Sequence, residues 1–247
     1  MRAPDSPPVR HPVMLQQWRL LTFLHWRYPV EAVQALLPDG LRVHSFDGTA
    51  WVGLVPFVMR GVRAPGVPPV PWLSDFPETN VRTYVEGPDG RVGIWFFSLD
   101  AARLAPVLAG RTAYGLPYCW SSMDVSLSGR ELSYRSSRRW PGPAGARCDA
   151  VVAAGPAYDE ADLGPLDHFL TARFRLYSVL AGRLVAADAD HPPWPLHRGR
   201  LVRLEQDVLE AGGLPAPTGE ALVHTSPGVA VRIGLWHPDP SSPRNMQ

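Results

Sequence analysis

The chain contains no lysine: all 24 of its basic residues are arginine. Whatever base composition produced this, the chemical consequence holds. Side-chain imine formation, lysine-anchored pyridoxal phosphate and a P-loop lysine are excluded. Cysteine is scarce too. Cys119 and Cys148 cannot build a disulfide framework, and nothing near Cys119 in sequence marks it as a reactive thiolate, so a buried inert thiol is expected there. Excess charge of either sign is missing: the net charge of +1 favours no polyanionic partner, and no nucleic-acid-reading motif is present. The most apolar window, AWVGLVPFVM (50–59), is too short to cross a bilayer, and MRAPDSPPVRHPV lacks the apolar stretch of a signal peptide. A cytoplasmic protein with neither nucleic-acid nor membrane partners is expected. GxGxxG, Walker, HExxH, CxxC and GxSxG patterns are all absent. His191 and His197 in HPPWPLH read as part of an exposed loop, because a zinc site needs three or four ligands. No metal and no cofactor are expected.

What is present suits a soluble globular core: 45% hydrophobic residues, with 9 Trp, 8 Phe and 7 Tyr. Most of the chain is short alternating segments punctuated by Gly, Pro and Asp. WRLLTFLHWRY (18–28) predicts a strand with Arg19, Leu21, Phe23, His25 and Arg27 on one face, and PVEAVQALLPDG a short helix. TAWVGLVPFVM (49–59) predicts a strand covered on both sides, with Pro56 marking a bulge or incomplete pairing. The Pro-rich segment 63–77 is long enough for a lid or binding loop, and GPDG joins strands 78–86 and 91–98 in a hairpin. A helix over 99–111 is predicted with Asp100 as its N-cap, starting late or kinked at Pro106, and another over 164–174. Further strands are expected near 117–127, 131–138, 147–154, 175–179, 183–188, 200–209, 221–225 and 229–236. The pattern predicts one mainly antiparallel, β-rich α+β domain over 13–237, a barrel or sandwich, between flexible tails 1–12 and 238–247.

FPETNVRTYV (76–85) has two unlike faces. Glu78, Asn80, Arg82 and Tyr84 share one side of the strand, and Thr79, Val81, Thr83 and Val85 the other. The polar side either meets solvent or lines a pocket. His25, on the first strand, reads as a hydrogen-bonded core histidine or a pocket residue.

QWRLLTFLHWRYPVEAVQALLPDGLRVHSFDGTAWVGLVPFVMRGVR, FPETNVRTYV, GIWFFSLDAARLA and AGRTAYGLPY together resemble the YqjF-like family of unknown function, over residues 14–236. That family is similar to the acetoacetate decarboxylase-like superfamily. The resemblance implies a cone-shaped, largely antiparallel β-barrel with a central cavity and two or three short helices. It places Arg19 at the superfamily's first-strand arginine and Glu78 at its catalytic glutamate. Val55 stands near the second glutamate, and Tyr118 and Cys119 stand where the Schiff-base lysine and its neighbour would be. The decarboxylase mechanism is therefore excluded.

The resemblance leaves Glu78 and Tyr118 as candidate acid–base residues. Arg19, Arg82, Asn80, Tyr84, His25, Trp95 and Cys119 are candidate ligand contacts, with Phe57 as apolar wall. A carboxylate or keto compound is the expected ligand, and homo-oligomerisation stays open. Three readings remain. The protein is an acid–base lyase, isomerase or hydrolase; a non-catalytic small-molecule binder; or a structural or interaction protein with a filled cavity. The alternative to a ligand or catalytic role for Glu78 and Arg82, four apart on one strand face, is a buried structural ion pair. Borohydride trapping with keto acids, followed by mass spectrometry, is expected to give no side-chain adduct; a stable one overturns the exclusion of imine chemistry.

Overall fold

Thirteen strands account for most of residues 8–238, the part of the chain that the computed structural model describes. In chain order they are β1 (Met14–Tyr28), β2 (Arg42–Val43), β3 (Ala50–Arg63), β4 (Phe76–Glu86), β5 (Val92–Ala101), β6 (Tyr118–Ser128) and β7 (Glu131–Trp140). They continue as β8 (Arg147–Ala157), β9 (Arg175–Leu180), β10 (Arg183–Asp190), β11 (His197–Gln206), β12 (Leu222–Ile233) and β13 (His237–Pro238). The α-helices are short: α1 (Val30–Gln34), α2 (Leu104–Tyr114), α3 (Pro165–Thr171) and α4 (Val208–Ala211). None is long and apolar enough to cross a membrane. The expected tails fall largely on residues 1–7 and 239–247, outside the described residues.

All strands join one mostly antiparallel sheet, in the order β13-β10-β9-β5-β6-β7-β8-β11-β12-β1-β3-β4-β2. β5 also pairs with β4, and β10 with β12, so the pairings form circuits that return on themselves. Among the described residues only the β5–β6 and β5–β9 pairs are parallel. The β5–β6 connection runs through α2, as a parallel pair requires a crossover.

β3 is buried along Ala50–Met59, as its unbroken apolar run predicts. Val55, Phe57 and Met59 enter one core cluster, while Ala50, Val52 and Leu54 enter a second against Leu132, Tyr134 and Val152 of β7 and β8. Pro56 pairs with Thr79 on β4 but faces an irregularity in β1, so its missing N–H leaves no gap in a regular ladder.

That irregularity changes the face of the first strand. β1 carries one more residue than β3 between Arg19 and Leu24, and Leu20 adopts a left-handed φ of 49°. A one-residue bulge reverses side-chain alternation. Met14, Gln16 and Trp18 therefore face the same interior as Leu21 and Phe23, and Arg19 faces outward. A second bulge, at Phe97 of β5, puts both the Ile94/Phe96 pair and the Leu99/Ala101 pair on that interior.

The Phe97 bulge also corrects the expected helix over 99–111. β5 continues to Ala101, α2 starts at Leu104, and Asp100 is no cap. Its carboxylate accepts two hydrogen bonds from Arg138, at 2.9 and 2.7 Å, and one from Ser121 Oγ at 2.6 Å. Pro106 is tolerated because it falls in the first turn of α2. Three further boundaries shift. The segments 221–225 and 229–236 belong to one strand, residues 208–211 turn into α4, and the helix over 164–174 stops at Thr171.

The Asp100–Arg138 pair is buried at both ends. Removing one partner leaves an uncompensated charge in the core, a cost of about 3–5 kcal/mol. Asp100→Ala is expected to destabilise the fold by that amount in urea denaturation, and the double change Asp100→Leu, Arg138→Met to recover most of it.

Candidate functional site

A cavity of about 430 Å³ opens beside the interior faces of β1, β3, β4 and β5. Most of its wall is apolar, including Leu21, Val55, Phe57, Phe76, Phe96 and Leu99. Val70, Leu73 and Ser74 of the expected binding loop contribute to its lining, together with Ala105, Pro106, Ala109 and Gly110 of α2. Next to them Trp72 is 71% exposed, with the Arg103 guanidinium 4.2 Å over its ring and Arg103 Nε donating to its carbonyl.

β4 supplies the polar floor by simple alternation. Glu78, Asn80 and Arg82 all line the cavity. Glu78 is only 2% exposed and accepts a hydrogen bond from the Tyr118 hydroxyl at 3.1 Å. Tyr118 reaches it from β6, where it pairs in parallel register with Leu99. Gly110 of α2 lies flat against the Tyr118 ring, and a Cβ there would sit 2.3 Å from a ring carbon. Burial pushes the Glu78 carboxyl up to about 8, against the hydrogen bonds from Tyr118 and Asn80 that lower it, while Asp100 adds to the rise. The acid is thus mostly protonated at neutral pH. Burial, reinforced by Glu78, raises Tyr118 well above the ordinary phenol range.

A second polar region lies around Arg82 and Arg173. Both are buried and line the cavity, and among the described residues neither forms an ion pair. Their partners are backbone carbonyls at the end of α3. Arg173 Nε donates to Phe169 O at 2.7 Å, and Arg82 reaches Leu170 O at 3.5 Å. The same Leu170 carbonyl accepts from Tyr84 Oη at 2.6 Å. Their remaining neighbours are rings: Arg82 lies 5.3 Å from Phe23, and Arg173 4.3 Å from Phe169. Burial, with Arg82 nearby, depresses Arg173 to about 10, which leaves it cationic at neutral pH. Among the described residues Arg82 Nε has no hydrogen-bond partner, and neither do the buried Trp18 Nε1 and Asn80 Oδ1.

The structure brings Glu78, Tyr118, Asn80 and Arg82 to the cavity, with Phe57 on its wall, and leaves the other expected contacts outside it. Arg19 is exposed and bonds Gln17 Oε1, because the Leu20 bulge turns it away. Trp95 lies on the opposite face of β5 from Ile94 and Phe96, beside Leu41, Val85 and Tyr177. Cys119 lies on the outer face of β6 in register with Asp100, its thiol pushed up to about 11 by burial. His25 and Tyr84 form a buried pair behind Arg82, with Nε2 and Oη 2.6 Å apart. Since the single Tyr84 hydrogen goes to Leu170 O, His25 donates from Nε2. Burial first, then Arg82, holds its pKa well below the usual range and keeps it neutral. The alternative Glu78–Arg82 ion pair does not form.

His191 overturns the exposed-loop expectation. It is buried on the cavity wall, bonded to Pro192 O and Arg173 O, and packed against Trp18, Phe174 and Trp194. Gln16, Trp18 and Arg173 also line the site without having been foreseen. The available signals were the uncharged, aromatic HPPWPLH segment and an arginine set between Ala172 and Phe174.

A sequence profile of the DUF2071 family, an uncharacterised conserved protein, matches residues 15–230. The uncharacterised protein YqjF of Bacillus subtilis (strain 168) is 34% identical over 212 residues, 86% of each chain. The chain belongs to this family. Solved structures share the fold at lower identity. The enduracididine biosynthesis enzyme MppR, complexed with pyruvate, matches with a TM-score of 0.65 at 16% identity, over 94% of this chain and 91% of its own. Acetoacetate decarboxylase from Legionella pneumophila matches with a TM-score of 0.65 at 13% identity, over 98% and 93%. The fold is thus acetoacetate decarboxylase-like.

Glu78 ties stability to pH. The unfolded carboxyl releases its proton near 4.5, while the native one holds it to about 8. Between those values the native state binds the extra proton, so this contribution is full below 4.5 and is lost as pH rises through 8, on the order of 5 kcal/mol in all. Denaturant titrations at pH 5 and 8.5 are expected to show a clear fall for the native chain and a much smaller one for Glu78→Gln.

Proposed function

We propose that the protein binds a small oxygenated carboxylate in this cavity, and that Glu78 and Tyr118 act on it as an acid–base pair without an imine intermediate. One observation carries the binding half: two buried guanidiniums, Arg82 and Arg173, face the cavity with no ion pair among the described residues. A buried cation lacking a counter-ion is costly, and a bound carboxylate supplies one with matching planar geometry. The pyruvate held by the structurally similar MppR is in keeping with an anionic ligand. This chain, having no lysine, cannot hold such a ligand as a lysine imine.

Glu78 supports the catalytic half. A carboxylic acid neutral near pH 7 donates a proton to a developing alkoxide or enolate oxygen, and Tyr118 reinforces that donation through its hydroxyl. The same floor also serves a non-catalytic binder, so turnover is what separates the two. The open volume argues against a scaffold with a filled cavity. The circuits of strand pairing favour a closed, cone-shaped barrel formed as one domain.

Arg173→Met tests the binding half. Calorimetry with monocarboxylates of three to ten carbons is expected to show affinity falling at least tenfold. The unliganded variant is expected to melt no lower than the native chain, because an uncompensated buried charge has been removed. Undiminished affinity overturns the assignment. For any acid that is turned over, Glu78→Gln is expected to keep affinity and lose the reaction, and full turnover by that variant rules out the acid–base role.

A further inference from the structure

Within the carboxylate-binding role proposed above, we infer that the cavity selects an elongated acid whose second oxygen group lies several bonds from the carboxylate, and that it discriminates against 2-oxo acids. The spacing of the two polar regions carries the argument. Glu78 and Arg82 are four residues apart on β4, and that stretch pairs with β3 without interruption, Phe57 to Glu78 through Gly53 to Arg82. At the rise of an extended strand their Cα atoms stand about 13 Å apart.

The side chains do not close this gap. Arg82 leans toward Leu170 O and the Phe23 ring, and its guanidinium also lies 5.9 Å from the ring of Tyr84, the next residue along that face. Glu78 turns instead to Tyr118. The groups that bear on the Glu78 carboxyl are Tyr118, Asn80 and Asp100, and none is a guanidinium. Different elements hold the two regions, α2 and β6 behind Tyr118 and α3 behind the arginines.

Asn80 stands between them on the same face, and the wall on either side of it is hydrocarbon. Val55 stands opposite Asn80 on one side of β4, and Phe96 and Leu99 stand opposite Arg82 and Asn80 on the other. Such a wall receives a methylene chain or ring and gives nothing to a hydrated group. In a 2-oxo acid the carboxylate and ketone sit on adjacent carbons, so the molecule cannot reach both regions. A three-carbon acid would also occupy only a small part of about 430 Å³.

Two isomers isolate the spacing. 2-Oxooctanoate and 7-oxooctanoate have the same formula and charge, and octanoate lacks the second oxygen. Calorimetry on the full chain is expected to rank 7-oxooctanoate about tenfold tighter than the other two. Tyr118→Phe is expected to reduce that preference to within about twofold while leaving octanoate affinity unchanged. Equal affinities, or a preference for the 2-oxo isomer, overturn the spacing inference; if all three acids still weaken in Arg173→Met, carboxylate binding itself stands. Failure of all three acids to bind, or binding indifferent to Arg173→Met, removes both.

Discussion

The carbonyl end of a seven-residue helix holds two buried cations that no carboxylate among the described residues neutralises. Phe169 O, Leu170 O and Thr171 O, at the close of α3, accept from Arg173, from Arg82 and Tyr84, and from Trp194. These are carbonyls that a helix leaves without internal partners, and their negative end suits a guanidinium. They are only partial charges. They orient the arginines without discharging them. α3 is in turn anchored by Asp167, which accepts from Gly164 N at its start and bonds His224 at 2.8 Å. One polar chain thus runs from β12 through α3 to the cavity.

A carboxyl deprived of cations completes the asymmetry. Glu78 and the arginines share a strand face, yet the acid is kept neutral and the bases charged by their different surroundings. Strand geometry separates them, with Asn80 between them on the same face.

How much of this was legible depended on where alternation stayed regular. β4 has no bulge relative to β3 between Phe76 and Thr83, and its polar face was read correctly as Glu78, Asn80 and Arg82. Tyr84 continues that face but lies beyond the cavity, under Leu170. Arg19 was misplaced because a bulge at Leu20 has no signature in WRLLTF, a sequence with neither glycine nor proline at the irregular point. Asp100 was misread as a cap because its partner, Arg138, is 38 residues away. Arg173 and His191 come from segments that packing, not periodicity, brings to the wall. The family resemblance supplied Tyr118, which no local pattern joins to Glu78.

The bulges at Leu20 and Phe97 give the cavity an unusual evolutionary lever. Loss of a single residue at Leu20 would restore simple alternation along β1. Trp18 and Leu21 would then stand two positions apart and still share the interior face, so the residues before the bulge would keep their orientation and their partners on β3. Straightening the bulge at constant length would instead turn Gln16 and Trp18 outward and bring Gln17 and Arg19 to the wall, with no substitution in the lining itself. Relatives that keep this length but carry no bulge at this point are the ones in which a changed lining is to be sought.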